Sequence, residues 1–324
     1  MYKIYDKWPE IAKNSYEIDY EPFDLKELKH IVFVGMGGSG VIGDIFQAIL
    51  SKTKVHVNIV KGYRIPTTVD EETLVVAVSV SGNTQETLFV LDIAKKIGCK
   101  IIAFASGGKM QDYCLKNNVE FRKVDQVHSP RASLPAFIYS VLKILRTTLQ
   151  LNEDDIIDSI KQLDLLSKKI SSNNLVNDNP SLELAKWISG IPLIYYPGGL
   201  RASAIRFKNS LHENAKIHAV SEEVLEATHN HIVAWENSSI VKPILLQGAD
   251  DHPKTKERWK ILKKYFETNK ISYQEVSSIQ GSILSKSMYL IYLLDYSTIY
   301  FATLSKIDPS PIRSLDFIKK ELVW

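Results

Sequence analysis

From His30 onward the chain alternates between two hydrophobic patterns. The runs IVFV, VHVNIV and TLVVAVSV are β-branched and lack polar alternation, which predicts strands buried on both faces. Between and after them, VIGDIFQAILSK and TQETLFVLDIAKKIG place apolar residues at helical spacing and predict amphipathic helices. The series continues with the strand KIIAFAS, a short helix MQDYCLKNN, the strand VEFRKV and a long apolar helix LPAFIYSVLKILRTTLQ. Strand alternating with helix implies right-handed crossovers and a parallel sheet covered on both sides.

The pattern restarts after a polar helical stretch at 151–184, whose Asn/Asp/Ser/Pro segment at 171–181 reads as a loop or junction. IPLIYYPGG repeats the strand-then-glycine opening, followed by the helix LRASAIRFKNSL, the strand PILLQG, the helix DHPKTKERWKILKKYFE and the strand SYQEVS. A long helix ILSKSMYLIYLLDYSTIYFATLSK and a short terminal one, RSLDFIKKEL, close the chain. The expected fold class is α/β: two doubly wound parallel-sheet domains, 1–150 and 151–324, packed together, with a C-terminal helix. A length of 324 residues suits two such cores better than one.

Charge narrows the function. Forty Lys and Arg against 37 Asp and Glu leave +3, too mild a balance to imply a nucleic-acid partner. The densest basic stretch, KTKERWKILKK, reads as the solvated face of a helix with Trp259, Ile261 and Leu262 turned inward. No apolar run reaches the ~18 residues of a membrane span, and the first residues, MYKIYDKWPE, lack the apolar core of a signal peptide. Two cysteines, Cys99 and Cys114, stand outside any CxxC or Cys/His cluster, as expected of a reduced, cytoplasmic protein without a structural metal.

Two loops carry the chemistry. In GMGGSG, Gly35, Gly37 and Gly40 fit GxGxxG between a strand and a helix, yet Lys61, Gly62, Tyr63 and Arg64 stand where a dinucleotide site needs a carboxylate for the ribose. The loop after the third strand, SVSGNTQET, is dense in hydroxyls. Asn83 and Glu86 read as a capping box there, leaving Ser79, Ser81, Thr84 and Thr87 to face outward. In an open parallel sheet the first and third strands flank the switch point, so both loops are expected to converge on one crevice suited to a phosphate monoester. Glu213, in the HENAK turn, is the candidate base, a loop carboxylate placed to be partly desolvated. His229 and His231 are equally eligible as an acid/base on spacing alone, as are Lys319 and Lys320 as a terminal cation.

Together, GMGGSG and SVSGNTQET resemble a sugar isomerase (SIS) domain. RFKNSLHENAK, THNHIVAWE, PRASL at Pro130, and DPSPI with LDFIKKEL resemble the bifunctional phosphoglucose/phosphomannose isomerases, a likeness running from about residue 35 to 322. The resemblance implies two SIS-like domains, a homodimer, and an aldose–ketose isomerase acting on glucose 6-phosphate, fructose 6-phosphate and mannose 6-phosphate. It implies metal-free proton transfer through a cis-enediol(ate), with no cofactor. It also implies Glu213 as base, His229 reaching over from the partner subunit to open the sugar ring, Arg131 stabilising the enediolate, and Lys319 assisting ring opening. Gly37, Gly38 and Ser39 with Ser79, Ser81 and Thr84 would hold the phosphate. Departures from the family pattern are Val80 in place of an aromatic, Thr228–His231 reading THNH rather than NHNE, and Ile318 in place of a leucine. The competing reading is a non-catalytic phosphosugar-binding regulator, which would need the phosphate loops but not Glu213, His229 and Arg131.

Overall fold

The computed structural model describes residues 1–176 and 178–322. The chain divides into two compact units: Ile4–Ser167 with Ile279–Tyr289, and Met1–Lys3 with Lys168–Ser278 and Leu290–Trp324. The first is referred to below as the amino-terminal unit and the second as the carboxy-terminal unit.

After two short entry helices, α1 (Tyr2–Tyr5) and α2 (Trp8–Glu17), the amino-terminal unit runs β1 (His30–Val34), α3 (Gly37–Leu50), β2 (His56–Val60), β3 (Leu74–Ser79), α4 (Gln85–Ile97), β4 (Lys100–Ala105), α5 (Gly108–Lys116), β5 (Glu120–Lys123), α6 (Leu134–Leu145) and most of α7 (Glu153–Ile170). Its strands form one sheet in the order β2-β1-β3-β4-β5, and every pair is parallel. β3 is buried along its whole length, as its unbroken apolar run requires. Phe33 and Phe46 stack at 4.8 Å between β1 and α3, and a Cβ on Gly43 would lie 2.8 Å from Phe33 Cβ, so the glycine lets helix and strand close up.

The carboxy-terminal unit contains α8 (Pro180–Trp187), β6 (Ile191–Tyr196), α9 (Arg201–Ser210), β7 (Val220–Glu223), α10 (Val224–Ala227), β8 (Val241–Gln247), α11 (Pro253–Thr268), β9 (Gln274–Ser277), the larger part of α12 (Ile283–Leu304) and α13 (Arg313–Glu321). Its sheet, β7-β6-β8-β9, is again all parallel. Relative to its first strand the order matches β2-β1-β3-β4 of the other sheet. Tyr195, Trp235, Trp259 and Phe266 fill its core. The expected class, two parallel α/β sheets with a C-terminal helix, is what the structure contains.

Local details depart from the sequence pattern or lie outside it. The segment before His30, where the pattern assigned no element, includes α2, whose Trp8, Ala12 and Tyr16 are buried at helical spacing; Trp8 Nε1 donates to Ala132 O at 3.0 Å. α6 stops at Leu145, and the two threonines that follow lie in a turn. The apolar run IHAV after the Glu213 turn reads as a strand, yet it pairs with β6 only from Val220, the backbone N–H of Ala219 being taken by His212 Nε2 at 3.2 Å. Trp259 and Leu262 face the core as expected, but Ile261 is 59% exposed, one residue off the buried face of α11. Among the described residues no helix is long and apolar enough to cross a membrane.

Candidate functional site

At the carboxyl ends of β1 and β3 the chain turns twice into a helix N-terminus. β1 leads through Gly35 and Met36 into α3, whose first amides, Gly37 and Gly38, have no carbonyl inside the helix to bond. A Cβ on Gly40 would lie 2.8 Å from Gly35 O, so that position requires glycine for close backbone approach, and one on Gly35 would sit tightly, 3.0 Å from Val78 O. Ser39 Oγ accepts from Val80 N at 3.4 Å. The two loops therefore meet, as the strand order implied.

In the second loop Ser79 is 1% exposed and shares a hydrogen bond with Thr84 Oγ1 at 2.9 Å. The expected capping box is absent: Thr84 occupies the N-cap of α4, and no side chain caps that helix. Asn83 is engaged elsewhere, its Oδ1 accepting from Lys109 N at 3.1 Å and its Nδ2 donating to Ser81 O at 3.0 Å. The reason is tertiary. The Gly107–Gly108 turn after β4 presses so close that a Cβ on Gly82 would lie 1.7 Å from Gly107 O, and its backbone captures the asparagine. Of the four hydroxyls expected to face outward, Ser79 and Thr87 are buried, Thr84 is half-buried and Ser81 is exposed. Ser106, passed over in the sequence, donates its Oγ to Val80 O at 2.7 Å; the glycine pair directly after the fourth strand was the available signal.

Electrostatics favour an anion at these helix starts, since the unpaired first-turn amides and both macrodipoles point positive ends there. Lys61, which stands where a dinucleotide site needs a carboxylate, places its Cε where a Cβ on Gly40 would come within 2.9 Å, and its Nζ donates to buried Asp44 at 2.5 Å. Arg131 is 4% exposed, in the turn before α6. Ser133 braces that turn, accepting from Val127 N and donating to Ser129 O, both at 2.8 Å. Burial is the main cause that holds the His128 imidazole below its ordinary value, with the Arg131 charge a smaller contribution.

In the carboxy-terminal unit α9 continues without a break into a π-helical turn, Leu211–Ala215, that carries Glu213; Lys216 ends it with φ +58°. Three residues spaced by four fix this element against α12. Arg206 Nη2 donates to Asp295 Oδ2 at 2.6 Å, Ser210 Oγ to Asp295 Oδ1 at 2.5 Å, and Asn214 Nδ2 to Thr298 Oγ1 at 2.9 Å. All of these side chains are buried, whereas Glu213 is half-buried. Lys216 Nζ donates to Glu213 O at 2.5 Å and Pro311 O at 2.6 Å, tying the turn to the segment that leads into α13. Lys319 and Lys320 are both exposed in the last turn of α13, which buries none of its residues. His229 is exposed, while His231 is half-buried with its Nδ1 3.0 Å from the Tyr195 hydroxyl.

The family described as "Bacterial phospho-glucose isomerase C-terminal SIS domain" matches residues 177–322, and "SIS domain" matches residues 24–145. A bifunctional phosphoglucose/phosphomannose isomerase of Caldicellulosiruptor bescii is 30% identical over 99% of this chain and 98% of its own length. One of the same name from Aquifex aeolicus is 31% identical over 98% of this chain and 94% of its own. This chain belongs to the bifunctional phosphoglucose/phosphomannose isomerase family. It is an isomerase. Its fold is also that of the C-terminal domain of glucosamine-fructose-6-phosphate aminotransferase from Francisella tularensis, with TM-score 0.71, 17% identity, and coverage of 94% of this chain and 96% of the other.

Two departures from the pattern of this isomerase family now have a structural context. Val80 is buried, its carbonyl accepting from both Ser106 N and Ser106 Oγ, so that position is held by the β4 loop. In THNH, Thr228 and His231 are tied to neighbouring elements rather than left as surface residues.

Proposed function

We propose that the protein interconverts glucose 6-phosphate, fructose 6-phosphate and mannose 6-phosphate by metal-free proton transfer through a cis-enediol(ate). The observation that carries the reading is the meeting of the glycine turn and the hydroxyl loop at the carboxyl ends of β1 and β3, with Ser39 Oγ at Val80 N and Ser79 paired to Thr84. Two helix starts with unpaired amides and neighbouring hydroxyls suit a phosphate monoester, and neutral donors suffice when the helices supply the field. Gly37, Gly38, Ser39, Ser79, Ser81 and Thr84 hold the phosphate in this scheme.

Isomerisation then needs a base to carry a proton between C2 and C1, an acid/base to open the ring, and positive charge for the enediolate. Glu213 takes the first role, His229 with Lys319 the second, and Arg131 the third. A guanidinium fixed by burial suits a delocalised oxyanion better than a mobile ammonium. The protein acts as a homodimer in which His229 serves the partner's substrate; its exposure on its own chain supports this.

The deciding experiment supplies fructose 6-phosphate in the presence of EDTA and couples glucose 6-phosphate formation to its dehydrogenase. Turnover with saturable kinetics is the expected result, with mannose 6-phosphate also consumed in a separate assay. Tight binding without turnover of either ketose or aldose would overturn the reading in favour of a sensor.

A further inference from the structure

We propose that Arg258 and Tyr195 are positioning residues that hold the Thr228–His231 turn so that His229 projects from it, an inference that rests on the ring-opening role given to His229 above. Three of the four side chains in this turn are committed within the carboxy-terminal unit. Thr228 Oγ1 donates to Val224 O at 3.0 Å and accepts from Arg258 Nη1 of α11 at 2.9 Å. Asn230 Nδ2 donates to Glu226 Oε1 at 3.0 Å. His231 Nδ1 lies 3.0 Å from the hydroxyl of Tyr195 on β6. The His229 backbone is also fixed, its N–H donating to Glu226 O at 2.9 Å. Among the described residues, His229 alone in the turn has an imidazole with no hydrogen-bond partner, and it is exposed.

The Tyr195 anchor is itself held in place. Trp235 Nε1 donates to the Tyr195 oxygen at 2.8 Å, and burial pushes the phenol up to about 12, so the hydroxyl keeps its proton at physiological pH. With a donor already on its oxygen, the Tyr195 hydroxyl can give that proton to His231 Nδ1, and this contact holds the imidazole against β6. Where the family pattern has a carboxylate, this chain has a histidine seated on a buried tyrosine. Anchors from two different elements, α11 on one side of His229 and β6 on the other, fix the turn's backbone. Displacing a catalytic group by about 1 Å costs on the order of 10²-fold in rate, so pinning it is worth a measurable fraction of that.

The test uses the full-length protein and fructose 6-phosphate. Arg258→Met and Tyr195→Phe are each expected to lower kcat about tenfold with KM held within about twofold, and Arg258→Lys to recover part of the loss. In a His229→Ala background the same substitutions should change kcat by less than about twofold, because a residue acting through the imidazole has nothing left to act on. Equal losses with and without His229, or full kcat in both single variants, would overturn the inference. Amide hydrogen exchange across 228–231 gives a second readout independent of turnover: protection should fall about tenfold in Arg258→Met. Unchanged exchange refutes the positioning claim. An inactive wild-type protein refutes the assigned reaction and leaves the exchange result to decide the positioning.

Discussion

The bond network beneath the Glu213 turn makes a quantitative prediction. Arg206 and Asp295 are 3% and 0% exposed and meet at 2.6 Å, which at an effective dielectric of about 20 is a gross attraction on the order of 6 kcal/mol. Most of that is offset by the desolvation of two charges, so the pair adds little net stability. Removing one partner is another matter. Asp295→Asn leaves the Arg206 guanidinium buried without its counter-charge and should cost about 3–5 kcal/mol, whereas Arg206→Met with Asp295→Leu should come within about 1–2 kcal/mol of wild type, the residue of the cost being the acceptor lost to Ser210. Equilibrium urea unfolding followed by tryptophan fluorescence reads this directly, since Trp235 and Trp259 lie in the core of the same unit. A single-variant cost below about 1 kcal/mol, or a double variant as damaged as the sum of the singles, would refute the argument.

Glu213→Gln is expected to preserve KM and lower kcat by about 10²-fold or more, the usual penalty for losing a proton-transfer base; near-normal turnover of fructose 6-phosphate would remove Glu213 from that role. Gly82→Ala forces a Cβ against Gly107 O at a φ of +67° and should cost at least about 2 kcal/mol in urea unfolding while raising KM for the sugar phosphate. Hydrogen bonds from Ser285 and then Gln162 hold the Asp158 carboxyl below its ordinary value. That stabilisation is fully present above the unfolded value of about 3.9 and is lost as pH falls through the lower folded value, so Asp158→Asn should flatten the acid limb of the stability profile, measured by unfolding from pH 7 to pH 3.

The amino-acid order by itself determined the two parallel α/β sheets, because β-branched runs such as LVVAVS and helical spacing such as QETLFVLDIAKKI are local signals that burial only reinforces. It also determined the family, through motifs whose residues are adjacent in the chain. It placed the glycine turn and the hydroxyl loop beside each other through strand order alone. What it could not reach were partnerships between residues far apart. Asn83 reads as a cap from its neighbours and is instead taken by the backbone of Lys109; Arg206 pairs with Asp295, 89 residues away, a partner that no local pattern points to. His231 and His229 are indistinguishable by spacing, and only the arrival of Tyr195 beside one of them separates the anchored imidazole from the exposed one. Propensity and periodicity act over a few residues, while the partner of a polar side chain is chosen by which distant element packs against it, and that choice exists only once the sheets have formed.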